Sequence, residues 1–267
     1  MQRHPAVAGQ FYTGSGPELS RELAALIPFT ERKRKVTGII APHAGYMYSG
    51  AVAGKVYAAV EIPSRVLILG PNHRGLGAAA ALHPAGEWLT PLGPVPVDAD
   101  LTRFLLQHVP FVQSDPIAHQ YEHSLEVQLP FIRYLRPDVA ISAICLGHAD
   151  FDAVRRIGAG IATALRSFGE DVLIVASSDM THYESADSAK RKDELALGRV
   201  LALDPKGLLE VCRKEQITMC GVVPSAIMLS AAGALGATRA DLVAYATSGD
   251  VTGDNRQVVG YAGVTVW

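Results

Sequence analysis

Four stretches of this 267-residue chain share one design, and together they decide its fold class. Val36–Ala41 (VTGIIA), Val66–Gly70 (VLILG), Val139–Gly147 (VAISAICLG) and Val172–Ala176 (VLIVA) are apolar, rich in β-branched residues, and close on small or polar residues. Short runs without polar alternation suit strands covered on both faces, the condition of a parallel sheet between helical layers. Between them lie helical candidates at Pro17–Ile27, Asp98–His108, Ser124–Leu135, Asp152–Phe168 and Ser188–Ala202, and Val223–Gly233 follows Cys220. Asp241–Thr247 and Gln257–Val266 read as closing strands. The Pro- and Gly-rich Gly86–Pro96 reads as a loop over the sheet, with room for a short hairpin. Strands alternating with helices predict a three-layer α/β/α sandwich around a mostly parallel, mixed central sheet. No linker, composition break or repeat divides the chain, so residues 1–267 read as a single domain.

Composition then excludes some classes of function. A net charge of −2 supplies no basic field, so neither nucleic acid nor an anionic membrane is an expected partner. The basic clusters Arg32–Lys35 and Lys190–Lys192 read as solvated surface. No apolar run reaches the roughly 18 residues of a membrane span, and the first residues lack the apolar core of a signal peptide. Three cysteines without CxxC spacing point to a reducing compartment, so a cytoplasmic protein is expected.

The chemistry lies where the strands end. VTGIIA leads to Pro42-His43, VLILG to Pro71-Asn72-His73, AICLG to His148-Ala149-Asp150, and VLIVA to Ser177-Ser178-Asp179-Met180-Thr181-His182. Ligands of open α/β sheets bind outside the carboxyl ends of the strands, so a histidine after each strand gathers imidazoles at one rim. Any one of them fits a turn; their conjunction points to metal ligation. Asp179, three residues before His182, can orient an acid–base imidazole, or it can cap a helix. Glu122 and His123 stand before a helix beginning near Ser124, itself a natural N-cap, and either serve a surface capping role or contact substrate. Cys220 precedes a helix with Pro224 in its first turn, where the helix N-terminus favours a thiolate acting as nucleophile or soft ligand. Cys145 and Cys212 read as core. GxGxxG, Walker A, GxSxG and HExxH motifs are all missing.

The segments VAGQFY, APHAGYMYSG, LILGPNH, EHSLEVQLPF, SSDMTHY, MCGVVPS and GYAGVTV resemble, in order and across nearly the whole chain, the Memo-like family. Its prokaryotic members are often called AmmeMemoRadiSam system protein B. The family is similar in fold to class III extradiol ring-cleaving dioxygenases, which hold iron(II) with two histidines and a carboxylate. The resemblance implies His43, His73 and Cys220 as metal ligands, with Cys220 in place of the carboxylate. It also implies His182 as acid/base beside Asp179 and His123 as a substrate contact, and it leaves His148 peripheral. A thiolate softens the site toward copper or iron, with zinc third, and adds a ligand that oxygen can damage. Three functions stand as expectations. One is a metal-dependent redox enzyme on a small substrate; the second is a non-catalytic metal- or peptide-binding protein; the third is a zinc hydrolase using metal-bound water.

Overall fold

Each of the four apolar runs forms a strand in the computed structural model, which describes residues 1–267. In chain order the strands are β1 (Gln2–Arg3), β2 (Gly38–Ala41), β3 (Arg65–Pro71), β4 (Ala80–Leu82), β5 (Glu87–Thr90), β6 (Gly93–Pro96), β7 (Gln113–Ser114), β8 (Ala140–Leu146), β9 (Val172–Ser177), β10 (His182–Glu184), β11 (Ala240–Thr247) and β12 (Val258–Val266). The helices are α1 (Gly16–Leu26), α2 (Tyr46–Ala58), α3 (Ala99–His108), α4 (Leu129–Leu135), α5 (Phe151–Phe168), α6 (Ala186–Leu201), α7 (Pro205–Lys214), α8 (Val222–Leu235) and α9 (Gly249–Thr252).

Nine strands make one mixed sheet in the order β10-β12-β2-β9-β3-β8-β4-β7, with β11 also paired to β12. Its centre, β2-β9-β3-β8, is parallel throughout, whereas β12 joins β2 and β4 joins β8 antiparallel. The expected mixed, mostly parallel α/β sandwich is what the chain forms. Alternate residues of each central strand enter two different cores. Ile40, Leu67, Leu69, Ile144 and Ile174 face α3, α5 and α8. Ile39, Val66, Ile68, Ile141 and Val175 face α1, α2 and α4. Both faces are therefore apolar, which removes the polar alternation an exposed strand would show.

Several helices begin where the sequence signals it. Asp98, Asp150 and Asp204 each accept a backbone N–H three residues on, at 2.8–2.9 Å, and Pro205 opens α7. Three expectations need correction, while the short hairpin allowed for in Gly86–Pro96 is formed. The Ser124–Leu135 helix is a 3₁₀ turn at Glu126–Gln128 followed by α4, and Ser124 is no cap, because its hydroxyl donates to the Pro71 carbonyl at 3.0 Å. Gly86–Pro96 carries a hairpin, β5–β6, which also pairs β5 with β1 in a second, three-stranded sheet. Asp179 caps no helix: β10 comes next in the chain. Helices α2, α7 and the one-turn α9 are not among the expected helices. In α2 most residues are buried, so no polar stripe marks its period.

Candidate metal centre

The parallel register sets the rim. Ala41 lies opposite Ser177 and Leu69 opposite Ala176, so the residues just beyond β2, β9 and β3 emerge side by side. These carry His43, Asp179 and His73. The 119–126 turn closes over them, its approach permitted by Gly70, where a Cβ would stand 2.7 Å from Ser124 Oγ. That turn brings in His123. One ring nitrogen from each of His43, His73 and His123 lies within 4.8 Å of the other two. The His73 and His123 rings stack at 4.7 Å between centroids, and His43 stands edge-on to both, at 5.3 and 5.5 Å.

Hydrogen bonds assign a tautomer to two of these rings. Ser177 Oγ donates to the Ser124 carbonyl at 2.6 Å, so only its lone pairs remain for His43 Nδ1 at 2.9 Å and Gln128 Nε2 at 2.8 Å. His43 Nδ1 therefore carries the proton and Nε2 offers its lone pair. Glu122, fully buried, accepts from the His73 ring Nδ1 at 2.9 Å, the His73 backbone N–H at 2.6 Å and the Ser124 N–H at 2.8 Å. Burial pushes the Glu122 carboxyl up, but the His73 and Ser124 hydrogen bonds and the neighbouring imidazoles outweigh it and hold the group down at about 2. As an ionised acceptor it fixes His73 with Nε2 free, the arrangement that suits a metal ligand. Burial lowers His123 to about 4, and burial with the two neighbouring imidazoles holds His43 well below the usual histidine range. Both rings are thus neutral near pH 7, and neutral imidazoles are what a transition metal binds.

Cys220 also reaches His43. Its Sγ lies 3.3 Å from His43 Nε2 and accepts the Asp179 backbone N–H at 3.2 Å. It stands outside the three-histidine group. Gly221 makes this approach possible, since a Cβ there would meet the Ser177 carbonyl at 2.3 Å. The thiolate expected from the start of α8 is not favoured in the metal-free protein. Burial and the nearby Asp179 carboxylate raise the thiol instead, because desolvation of an anion outweighs a helix terminus. Asp179 is itself buried and pushed up to about 6, although the His43 and Ala44 backbone N–H groups oppose that shift.

His182 lines the same cleft, an opening of about 770 Å³ shared with Phe11, Tyr48 and Tyr261. Its orienting partner is Thr218 rather than Asp179. Nδ1 donates to the Thr218 carbonyl at 3.0 Å and the backbone N–H to Thr218 Oγ1 at 2.7 Å, leaving Nε2 free to exchange a proton. His148 lines a separate cavity beside α7. Sequence reasoning missed Glu122, Ser177, Gln128 and Thr218 as supports, because each acts on a histidine that only the fold brings to it, Gln128 through Ser177.

The comparisons with known proteins agree from end to end. The Memo-like protein family model matches residues 3–265. A MEMO1 family protein of Methanopyrus kandleri is 40% identical over 99% of this chain and 98% of its own. One of Aquifex aeolicus is 42% identical over 98% of each. Among solved structures, an uncharacterised Escherichia coli K12 protein matches at a TM-score of 0.59 with 13% identity, over 86% of this chain and 100% of its own, a likeness of fold alone. A family model and full-length relatives near 40% identity lead to one conclusion: the chain belongs to the Memo-like family.

Proposed function

We propose that this protein is a metal-dependent redox enzyme of dioxygenase-like architecture, acting on a small substrate in the cleft above His43, His73 and His123. The observation that carries the reading is the convergence of three imidazole nitrogens within 4.8 Å, two with tautomers fixed by Ser177 and Glu122. Imidazole donors beside a thiol fit iron(II), copper or zinc; the redox reading, not the donor set, puts zinc third. His43 and His73 would hold the ion, with the third donor from His123, which the distances favour, or from Cys220, which the softness of copper favours. When bound, the metal supplies one-electron and oxygen chemistry.

The protein's own contribution is positioning and proton handling. Glu122 and Ser177 hold the ligand rings, and Phe11, Tyr48 and Tyr261 line the cleft for an organic, including an aromatic, molecule. His182, with Nε2 free toward the cleft, accepts or returns a substrate proton. Asp179 holds the His43 backbone and the Cys220 thiol in register. Three cysteines, all free, suit a reducing compartment such as the cytoplasm. No helix is long and apolar enough to cross a membrane.

A second reading, a metal- or peptide-binding protein without turnover, draws support from the thiol at His43, which oxygen chemistry would damage. One experiment separates them. Protein purified anaerobically is assayed for bound metal, then for oxygen uptake with a panel of catechols, alongside His43→Ala and His182→Ala. The enzyme reading expects metal lost in His43→Ala, and uptake lost but metal kept in His182→Ala. A loaded protein that turns over nothing leaves the binding reading standing.

A further inference from the structure

Arg3 and Glu126 form an ion pair closed off from solvent, with side chains 4% and 0% exposed, 123 residues apart in sequence. An ion pair buried this deeply is costly unless its remaining hydrogen-bonding sites are used, and here the guanidinium aims them at one turn. Arg3 Nε donates to the His119 carbonyl at 3.2 Å and Nη2 to the Glu122 carbonyl at 2.6 Å, while Nη1 pairs with Glu126. The guanidinium also lies 4.5 Å over the Trp88 ring. It thus ties three points of the 119–126 turn, the turn that carries Glu122 and His123. Glu126 in turn accepts the backbone N–H groups of Ala6 and Val7, at 2.7 and 3.1 Å, and the Tyr12 hydroxyl at 2.7 Å. This seats the first twelve residues so that Phe11 meets the His123 ring edge-on at 4.9 Å. The Phe11 carbonyl receives the Tyr46 N–H at 2.7 Å, three residues beyond His43.

We infer that Arg3, acting with Glu126, is a positioning residue of the histidine centre, and that the N-terminal arm is the clamp that sets His123 against His43 and His73. The guanidinium does not line the cleft above the three histidines; it acts through the turn and through Phe11. The inference rests on the proposed metal site for its functional meaning, but the placement of His123 can be read without metal.

The test uses Co(II) as probe on the full chain, with Arg3→Met, the charge-balanced Arg3→Met/Glu126→Gln pair, Phe11→Ala, and Ile157→Val as a destabilising control in the opposite core. Co(II) affinity and the absorption spectrum of the loaded protein are measured, together with the His123 ring proton and carbon shifts in metal-free protein. The inference expects affinity about tenfold or more weaker in the arm variants, the size that loss of ligand-orienting groups produces, with an altered spectrum and displaced His123 shifts. Ile157→Val keeps wild-type values. Folded arm variants with wild-type affinity, spectrum and His123 shifts overturn it. If Arg3→Met alone fails to fold, the charge-balanced pair and Phe11→Ala decide. If wild type itself binds no Co(II), the metal proposal falls, while the His123 shifts still decide the clamp: displaced in the arm variants they support it, unmoved they sink it.

Discussion

Replacing Glu122 with glutamine isolates the support of the histidine centre from its ligands. The carboxylate receives three donors: the His73 ring at 2.9 Å and the Ser124 N–H at 2.8 Å on one oxygen, and the His73 N–H at 2.6 Å on the other. A glutamine carbonyl can keep the first two. Its amide then points N–H groups at the His73 N–H, turning an acceptor into a donor facing a donor. Hydrogen bonds to a charged group are worth about 1.5–3 kcal/mol each, so one lost and two weakened come to roughly 2–4 kcal/mol at a fully buried carboxylate. Part of that cost falls on folding and part on ligand orientation. The share borne by the metal should weaken binding by about 10–100-fold, or about 1.4–2.7 kcal/mol. Competition against a chelator of known affinity measures it, with urea unfolding of the metal-free variant to account for the rest. Because the hydrogen bonds hold Glu122 at about 2, it stays ionised from pH 5 to 8, so its own titration adds no pH dependence to the deficit over that range. Affinity within twofold of wild type, in a folded variant, would refute the role given to Glu122.

Two further outcomes arise from the same geometry. His83, His119 and His123 are lowered chiefly by burial, to about 4, 3 and 4, while the unfolded chain titrates them near 6.5. Between pH 6.5 and 4 the unfolded chain binds more protons, so the urea midpoint of metal-free protein should fall as pH drops. Asp179, raised to about 6, contributes with the opposite sign, so a midpoint that rises on acidification would contradict the dominance of the histidines. Gly221→Ala places a Cβ against the Ser177 carbonyl at 2.3 Å. A cost of about 1–3 kcal/mol in urea unfolding is expected from such overpacking, together with faster alkylation of Cys220 as the strained start of α8 moves its thiol off His43; unchanged stability would show that the backbone yields freely.

The apolar rails were legible in the sequence because burial on both faces imposes continuous apolarity. Val66–Gly70 could hardly be anything but an interior strand, and the residues just past it had to lie at the rim. His43 and His73 were readable for that reason. Helix α2 was not, since Gly50 and Gly54 face Leu26 of α1 and most of its other residues are buried. Nor could spacing show that His123, rather than Cys220, shares the tight group with His43 and His73. That depends on how far the 119–126 turn folds over β3, which is set by Gly70 and by Arg3, more than a hundred residues away. The orientation of His182 by Thr218 was hidden in the same way, because the two lie 36 positions apart and touch only once the chain folds.

The central claim is that one metal ion sits among these imidazoles. Anomalous scattering from crystals of anaerobically loaded protein, measured on both sides of the iron and copper edges, tests it most directly. The account predicts one strong peak per chain, bonded to the Nε2 atoms of His43 and His73 at about 2.0–2.1 Å as for other metal–imidazole bonds, with the third contact from His123 or Cys220. A loaded crystal with no peak there, or with its metal bound away from His43 and His73, would contradict it.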